Sequence, residues 1–131
     1  MGVVWAYVVD ASAVVDLLSR TPRAGRVVEV LRGNQLHVPA NLDAEVLATL
    51  VRMERQGRLG DVDLDEAFDL LESFTAERHG TAPLLRGAAA RRATLWVAHG
   101  LYVEPSHQLG CGLVTCDGGQ AANVRGAVLV T

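Results

Sequence analysis

The chain contains 131 residues, of which 50% are hydrophobic and 21% charged, and its formal net charge is −3. This length predicts a single domain spanning residues 1–131 that can bury a sizeable core. The small negative charge excludes a global basic field that attracts nucleic acid, and the lack of any lysine excludes a catalytic lysine. No apolar run reaches the roughly 20 residues of a membrane-spanning helix, and no basic leader precedes the first run, so we expect a soluble cytoplasmic protein with no membrane contact.

The first strong pattern is the apolar run over residues 3–9, whose β-branched and aromatic side chains predict a strand buried on both faces of a parallel sheet. Asp10 ends this run, and Ser12 follows as the predicted N-cap of a helix that continues to Leu18. Open α/β sheets bind their ligands at the carboxyl ends of the strands. Asp10 is therefore a candidate metal ligand.

The next predicted elements are a helix over residues 22–33, a short strand over residues 36–38 and a helix over residues 42–56 capped by Asn41 or Asp43. Glu45 lies in the first turn of this last helix, just past the end of the second strand. The helix dipole stabilises a carboxylate there, which is a structural explanation. The position beside a strand end is a functional one, and Glu45 alone leaves both open.

Further helices are predicted over residues 64–76, 83–92 and 94–109, followed by a strand over residues 111–115 that ends before Asp117. A short helix and a final edge strand over residues 127–130 complete the chain. Gly100 weakens the helix over residues 94–109, and Pro105 is expected to kink or end it. Strands that alternate with helices predict a three-layer α/β/α fold around a central, mostly parallel twisted sheet.

Asp10 and Asp117 both follow buried strands, and each has a hydroxyl residue nearby, Ser12 and Thr115. Neighbouring strands would bring the two carboxylates together, with Glu45 reaching them from a helix start. Carboxylates that share a crevice repel one another, and a hard divalent ion such as Mg²⁺ or Mn²⁺ removes that conflict. As a structural alternative, both aspartates are helix caps. The combination with Glu45 favours the metal site.

Four segments resemble the PIN domain of VapC-type toxins from toxin–antitoxin pairs: residues 8–13 (VVDASA), Pro39 with Glu45, residues 101–103 (LYV) and residues 113–117 (LVTCD). The resemblance covers nearly the whole chain. It implies a Mg²⁺- or Mn²⁺-dependent endoribonuclease, usually a homodimer, that cleaves RNA and is held inactive by a small antitoxin protein. Asp10, Glu45 and Asp117 then match three of the four acidic positions of the family, with Ser12 and Thr115 beside them.

His99 stands at the fourth position, where the family has an aspartate, and Trp96 replaces its usual helix cap. An imidazole ligates manganese or zinc well, whereas magnesium prefers oxygen. His99 is therefore a replacement ligand, a proton shuttle or the mark of a site that binds metal poorly. The last of these implies a PIN domain with impaired catalysis that serves as a partner- or RNA-binding module.

The remaining candidates have simpler explanations. A receiver domain is excluded by the missing lysine and the missing acidic doublet. Cys111 and Cys116 fit neither a zinc knuckle nor a disulfide scaffold and are expected to be buried or half-buried thiols. The other three histidines are interpreted as separate surface or satisfied side chains, and the two tryptophans as packing residues. Either of two sets of arginines contacts RNA phosphates or forms a solvated helix face: Arg20, Arg23 and Arg26 near the first crevice, or Arg86, Arg91 and Arg92. Apolar residues at 27–31 and 47–51 predict a dimer or antitoxin surface.

Overall fold

The computed structural model describes residues 2–60, 62–122 and 124–131. Across these residues the strands are β1 Ala6–Val9, β2 Gln35–Pro39, β3 Glu77–His79, β4 Gly112–Thr115 and β5 Val128–Leu129. They form one sheet in the order β3-β2-β1-β4-β5, and every strand pair is parallel. The predicted α/β class is confirmed, with the first strand at the centre and the last strand at an edge.

The helices are α1 Ala11–Leu18, α2 Ala24–Leu31, α3 Leu42–Arg55, α4 Leu64–Ser73, α5 Leu85–Ala90, α6 Val97–Leu109 and α7 Gly118–Ala122, with a 3₁₀ turn at Ala82–Leu84. Helix α1 packs against α2 and α3, and α3 packs against α4. Helix α5 packs against α6, which in turn contacts β1, β2 and β4. These two groups of helices are the outer layers of the predicted α/β/α arrangement.

The two central strands carry the core of the sheet. Val8, Val9, Leu113 and Val114 are fully buried, and Val9 is the register partner of Val114. The ladder continues one residue further, because the Asp10 amide donates to the Val114 carbonyl at 3.1 Å. The sheet therefore delivers the polar residues that follow β1 and β4 to the same edge, as the sequence predicts.

Strand β1 is shorter than predicted, because it begins at Ala6. Val3, Val4 and Trp5 are 73%, 62% and 59% exposed. Strand β4 pairs with β1 only from Tyr7 onward. The residues before Tyr7 therefore have a neighbouring strand on one side only. Trp96 is also 73% exposed. The predicted packing role of both tryptophans is wrong.

Strand β3 is an element that the sequence did not predict. Helix α4 ends at Ser73, three residues before the predicted end, and the polar segment Glu77–His79 then pairs with β2. Arg78 is the middle residue of β3. Its Nε and Nη2 donate hydrogen bonds to both carboxylate oxygens of Asp43, at 2.7 and 2.9 Å. This bidentate pair attaches the edge strand to α3.

Helix α6 runs unbroken through Pro105 to Leu109, so the expected end at the proline is wrong. A proline inside a helix costs about 3 kcal/mol or more. Pro105 and both of its neighbours are buried, and this packing outweighs the cost. Gly100 serves a packing purpose, because a Cβ there would lie 3.0 Å from the Ala88 backbone of α5.

Two further features concern the thiols and the lengths of the helices. Cys111 and Cys116 are free, half-buried thiols, as expected from their spacing. Within the described ranges, no helix is both long enough and apolar enough to cross a membrane.

Candidate metal-binding site

Asp10 is a buried carboxylate at the carboxyl end of the central strand. It is 3% exposed, and its Oδ1 accepts a hydrogen bond from the Ala13 amide at 3.1 Å. Asp10 is therefore the N-cap of α1, a role that the sequence analysis gave to Ser12. Capping is the structural alternative considered for this residue, and the structure shows that Asp10 does cap its helix. The cap also fixes the direction of the carboxylate.

Ser12 and Thr115 clamp the Asp10 carboxylate from two elements. The Ser12 hydroxyl donates to Oδ1 at 2.6 Å, and the Thr115 hydroxyl donates to Oδ2 at 2.5 Å. The two hydroxyl oxygens lie 3.3 Å apart. The clamp extends into the loop after β4, because the Cys116 amide donates to Ser12 Oγ at 3.0 Å and the Asp117 amide to Thr115 Oγ1 at 2.9 Å. These hydroxyls position both aspartates.

Asp117 directly precedes the short helix α7 and is partly exposed. Its Oδ1 accepts from the Gln120 amide at 3.1 Å, so this aspartate too makes a cap-like bond. Its other oxygen, Oδ2, lies 4.0 Å from His99 Nε2. Helix α6 holds His99 in its first turn, and the Gln120 amide group donates to the His99 carbonyl at 3.5 Å. The structure therefore places His99 next to Asp117, as its position at the expected fourth acidic site implied.

Glu45 reaches the same region from the first turn of α3. Its Oε1 accepts a hydrogen bond from the Tyr102 hydroxyl at 3.1 Å. Tyr102 is 1% exposed and belongs to α6, three residues after His99. Tyr102 belongs to the LYV motif at residues 101–103, but the sequence alone predicted no role for its side chain. Its spacing from His99 on one helix face is the signal that could have identified it.

The charges of these residues interact. Burial raises the pKa of Asp10; hydrogen bonds from Ser12, Thr115 and Ala13 oppose the shift, and the negative charge of Asp117 adds to it. Burial also raises the pKa of Glu45, whose carboxyl is stabilised by Tyr102, destabilised by Asp10 and stabilised by His99. The Asp10 carboxylate thus repels both Asp117 and Glu45, and a bound cation relieves this conflict.

The donor atoms fit a hard, partly hydrated cation. Asp10, Glu45 and Asp117 offer carboxylate oxygens, the ligands that Mg²⁺ and Mn²⁺ prefer, and Mg²⁺ usually retains several waters. In the described parts of the chain, the one group of three metal-ligating atoms that all lie within 4.8 Å of one another is elsewhere, at His37, Glu77 and His79. The carboxylates are therefore more widely spaced than a closed all-protein cage requires.

A further buried acceptor lies one helical turn before Glu45. The Asn41 side-chain oxygen is buried and has no hydrogen-bond partner among the described residues. Asn41 occupies the N-cap position of α3 but makes no side-chain cap bond, which the sequence analysis had expected of Asn41 or Asp43. Buried hydrogen-bond acceptors in folded proteins normally have a donor partner, and the Asn41 oxygen is an exception to this rule.

A cleft of about 420 Å³ adjoins the Glu45 side of the site, and Ser12, Asp16 and Glu45 line it. Three arginines line the same cleft: Arg23, Arg52 and Arg58. Of the arginines considered from the sequence, Arg23 reaches the cleft and pairs with Asp16 at 3.1 Å, whereas Arg20 pairs with Glu66. Arg52 was missed, although it lies seven residues after Glu45 on the same helix and hence on a similar face.

This fold and this acidic strand edge define the class of protein. The PIN domain family profile matches residues 7–125, and the chain belongs to this family. Ribonuclease VapC3 of Mycobacterium tuberculosis is 46% identical over 111 residues, which cover 84% of this chain and 81% of that protein. Ribonuclease VapC12 of the same species is 34% identical over 111 residues, covering 85% of this chain and 86% of that protein.

Solved structures share the fold at low sequence identity. PAE2754 from Pyrobaculum aerophilum superposes with a TM-score of 0.70 at 23% identity, covering 96% of this chain and 90% of that one. A chain of a toxin–antitoxin complex from Klebsiella pneumoniae gives a TM-score of 0.67 at 16% identity, covering 93% and 95%. These similarities establish the fold over more than nine tenths of the chain.

Proposed function

We propose that this protein is a VapC-like ribonuclease toxin that hydrolyses RNA phosphodiester bonds with a divalent cation held by Asp10, Glu45 and Asp117. The observation that carries the proposal is the buried Asp10 carboxylate, clamped by two hydroxyls and surrounded by two further acids. The relatives named as VapC ribonucleases support the same activity.

Different side chains of the chain orient the two carboxylates. Ser12 and Thr115 orient Asp10, and Tyr102 orients Glu45 through its hydrogen bond to Oε1. When bound, a Mg²⁺ or Mn²⁺ ion lowers the pKa of coordinated water and stabilises the charge that develops on a phosphodiester.

The arginines of the cleft form a local positive surface on a chain whose net charge is negative. We propose that Arg52 and Arg58, which line the cleft with Glu45, contact backbone phosphates of the RNA, whereas Arg23 lines the same cleft but is paired with Asp16. Because the net charge is −3, RNA is attracted by this local rim and by the bound cation, not by the protein as a whole.

His99 supports a second candidate function, a PIN domain that binds RNA or its partner with impaired catalysis. Its imidazole lies 4.0 Å from the Asp117 carboxylate. A protonated imidazole there neutralises part of the negative charge that holds a cation, whereas a neutral one offers Nε2 as a nitrogen ligand or proton carrier.

RNA cleavage in Mg²⁺ and in Mn²⁺ separates the two functions. We expect the native chain to cut RNA, chelator to stop it, and Asp10→Asn to reduce the rate by at least a hundredfold. Asp63→Asn is the matched control, because Asp63 caps α4 and asparagine is an equally good cap. If only His99→Asp cuts RNA, the chain is the impaired form and the toxin proposal is wrong.

A small antitoxin is the proposed partner, since similar chains occur in a toxin–antitoxin complex and in VapBC2 from Rickettsia felis. Val27 is buried in the core, so the predicted surface at residues 27–31 is reduced to a groove of about 290 Å³ that Val28 and Leu31 line. The surface around Leu47 remains: this residue is 44% exposed and lines a groove of about 360 Å³ between α3 and α4.

This groove suits either an antitoxin helix or the second copy of a homodimer. Sedimentation of the chain alone and of its mixture with the antitoxin distinguishes them. If Leu47→Glu converts a dimer to monomer, the groove is the dimer surface; if the dimer persists and antitoxin binding is lost, the groove holds the antitoxin.

A further inference from the structure

A second cluster of metal-ligating side chains lies on the edge of the sheet, outside the carboxylate site. Strand β3 pairs with β2 so that His37 is opposite Glu77 and Pro39 is opposite His79. Paired residues of parallel strands project to the same face, and residues two apart on one strand do so as well. The register therefore places His37, Glu77 and His79 on one face.

Their ligand atoms converge. His37 Nδ1 lies 2.9 Å from His79 Nε2 and 3.5 Å from Glu77 Oε2, and all three atoms lie within 4.8 Å of one another. The two rings are tilted by 40° with centroids 5.1 Å apart, so they meet through their nitrogens and do not stack. At metal–ligand distances of about 2.0–2.1 Å, tetrahedral ligands lie roughly 3.3 Å apart, close to the 2.9 and 3.5 Å separations that His37 Nδ1 makes with the other two ligand atoms.

The charge around the cluster also suits a cation. Arg78 stands between the two β3 ligands in the sequence but projects to the opposite face, where both carboxylate oxygens of Asp43 bind it. Glu77 contributes a negative charge with no arginine bound to it in the described structure. Its side chain is 68% exposed, which leaves a fourth coordination position open to water.

We propose that His37, Glu77 and His79 bind one transition-metal dication of the zinc class, at a site separate from the carboxylates. Two imidazole nitrogens and one carboxylate oxygen are a typical zinc donor set, and they are poor ligands for Mg²⁺. The hydrogen bond between the rings uses one ring proton. That proton moves to the outer nitrogen of the same neutral ring when both inner nitrogens coordinate the metal.

Metal binding here joins an edge strand of three residues to its neighbour. β3 is also bonded to the loop between β2 and α3, because the Ala40 amide donates to the His79 carbonyl at 2.7 Å. The metal therefore stabilises the strand edge, and by mass action it raises the melting temperature of the folded protein.

The test uses untagged, metal-free protein titrated with Co²⁺ and with Zn²⁺ in excess Mg²⁺. We expect one equivalent of Co²⁺ to give the visible absorption of a four- or five-coordinate site, Zn²⁺ to displace it, and Zn²⁺ to raise the melting temperature. His79→Gln and His37→Gln should lower the Zn²⁺ affinity at least tenfold. Glu77→Gln, whose side chain is exposed, gives a weaker loss and keeps the fold intact even where a histidine variant does not.

His107→Gln is the matched control, because His107 is an exposed histidine on α6. It should bind Zn²⁺ as the native chain does, and so should Asp117→Asn, whatever that variant does to RNA cleavage. Native-like Zn²⁺ binding by both His79→Gln and Glu77→Gln, no binding by the native chain, or loss of binding in Asp117→Asn would each overturn the proposal.

Discussion

The Thr115 hydroxyl donates a 2.5 Å hydrogen bond to Asp10 Oδ2, although the two residues are 105 positions apart in the sequence. The contact arises because β1 and β4 are parallel neighbours that end at the same edge of the sheet. It is the interaction that turns a helix cap into an oriented, buried carboxylate. Changes at this pair therefore test whether the site is held together as described.

Thr115→Val removes this donor and keeps the shape of a fully buried side chain. A hydrogen bond to a charged group contributes about 1.5–3 kcal/mol, so we expect the free energy of unfolding at neutral pH to fall by roughly that amount. Urea unfolding measures it. Thr75→Val, at an exposed position on the loop before β3, should change stability little. Equal losses in the two variants would show that the Asp10 contact has no special role.

The stability of the metal-free protein should depend on pH in a direction set by the acidic site. The pKa values of Asp10 and Glu45 are raised in the folded state, mainly by burial. The folded protein therefore retains protons that the unfolded chain loses above about pH 4. Stability from these groups falls as pH rises through the window between the unfolded and folded pKa values.

Urea unfolding in chelator across pH 4 to 7.5 tests this dependence. Asp10→Asn should flatten the decline and be at least as stable as the native chain at neutral pH, and Mg²⁺ should restore stability to the native chain only. A decline of the same size in Asp10→Asn would assign the pH dependence to other groups.

Tyr102→Phe tests how Glu45 is positioned. The variant removes the donor to Glu45 Oε1, so the Glu45 carboxyl loses the interaction that opposes its raised pKa. We expect a tenfold or greater loss of Mg²⁺ affinity and of RNA cleavage at neutral pH, with recovery as the pH is raised. Tyr7→Phe in β1 is the control. Unchanged Mg²⁺ binding in Tyr102→Phe would show that this hydrogen bond does not support the site.

Gly100→Ala tests the contact between α5 and α6. The added Cβ would lie 3.0 Å from Ala88, so the helices must separate, at a cost of about 1–3 kcal/mol. Gly25→Ala in α2 is a control of opposite sign: a Cβ there meets nothing within 4 Å, and alanine favours a helix by about 1 kcal/mol. Thermal unfolding compares the two. Stabilisation by both substitutions would contradict the close packing.

The positions of Asp10 and Asp117 could be predicted because a buried strand has a clear apolar signature and its end is visible in the sequence. Glu45 followed from the same logic. The detail of the clamp could not be predicted, since the Ser12 and Thr115 contacts depend on the register of β1 and β4. The sequence therefore predicted Ser12 as the N-cap of α1. In the structure Asp10 is the N-cap, and Ser12 donates a hydrogen bond to it.

The errors arose where packing overrides local preference. Pro105 breaks a helix in isolation, but here it is buried within α6. The sequence of β3 does not alternate between apolar and polar residues, since Glu77 and Arg78 are both polar and exposed. Its strand conformation comes from pairing with β2. The contact between His37 and His79 was missed for the same reason, since it exists only through that pairing.

The proposed function requires that Asp10, Glu45 and Asp117 hold one divalent cation together, and this binding can be measured with Mn²⁺ by electron paramagnetic resonance. The titration is made in the His79→Gln background, so that the edge cluster does not contribute. We predict that Asp10→Asn, Glu45→Gln and Asp117→Asn each weaken Mn²⁺ binding at least tenfold, while Asp63→Asn does not. Native-like Mn²⁺ binding in Asp10→Asn and Glu45→Gln would contradict the account.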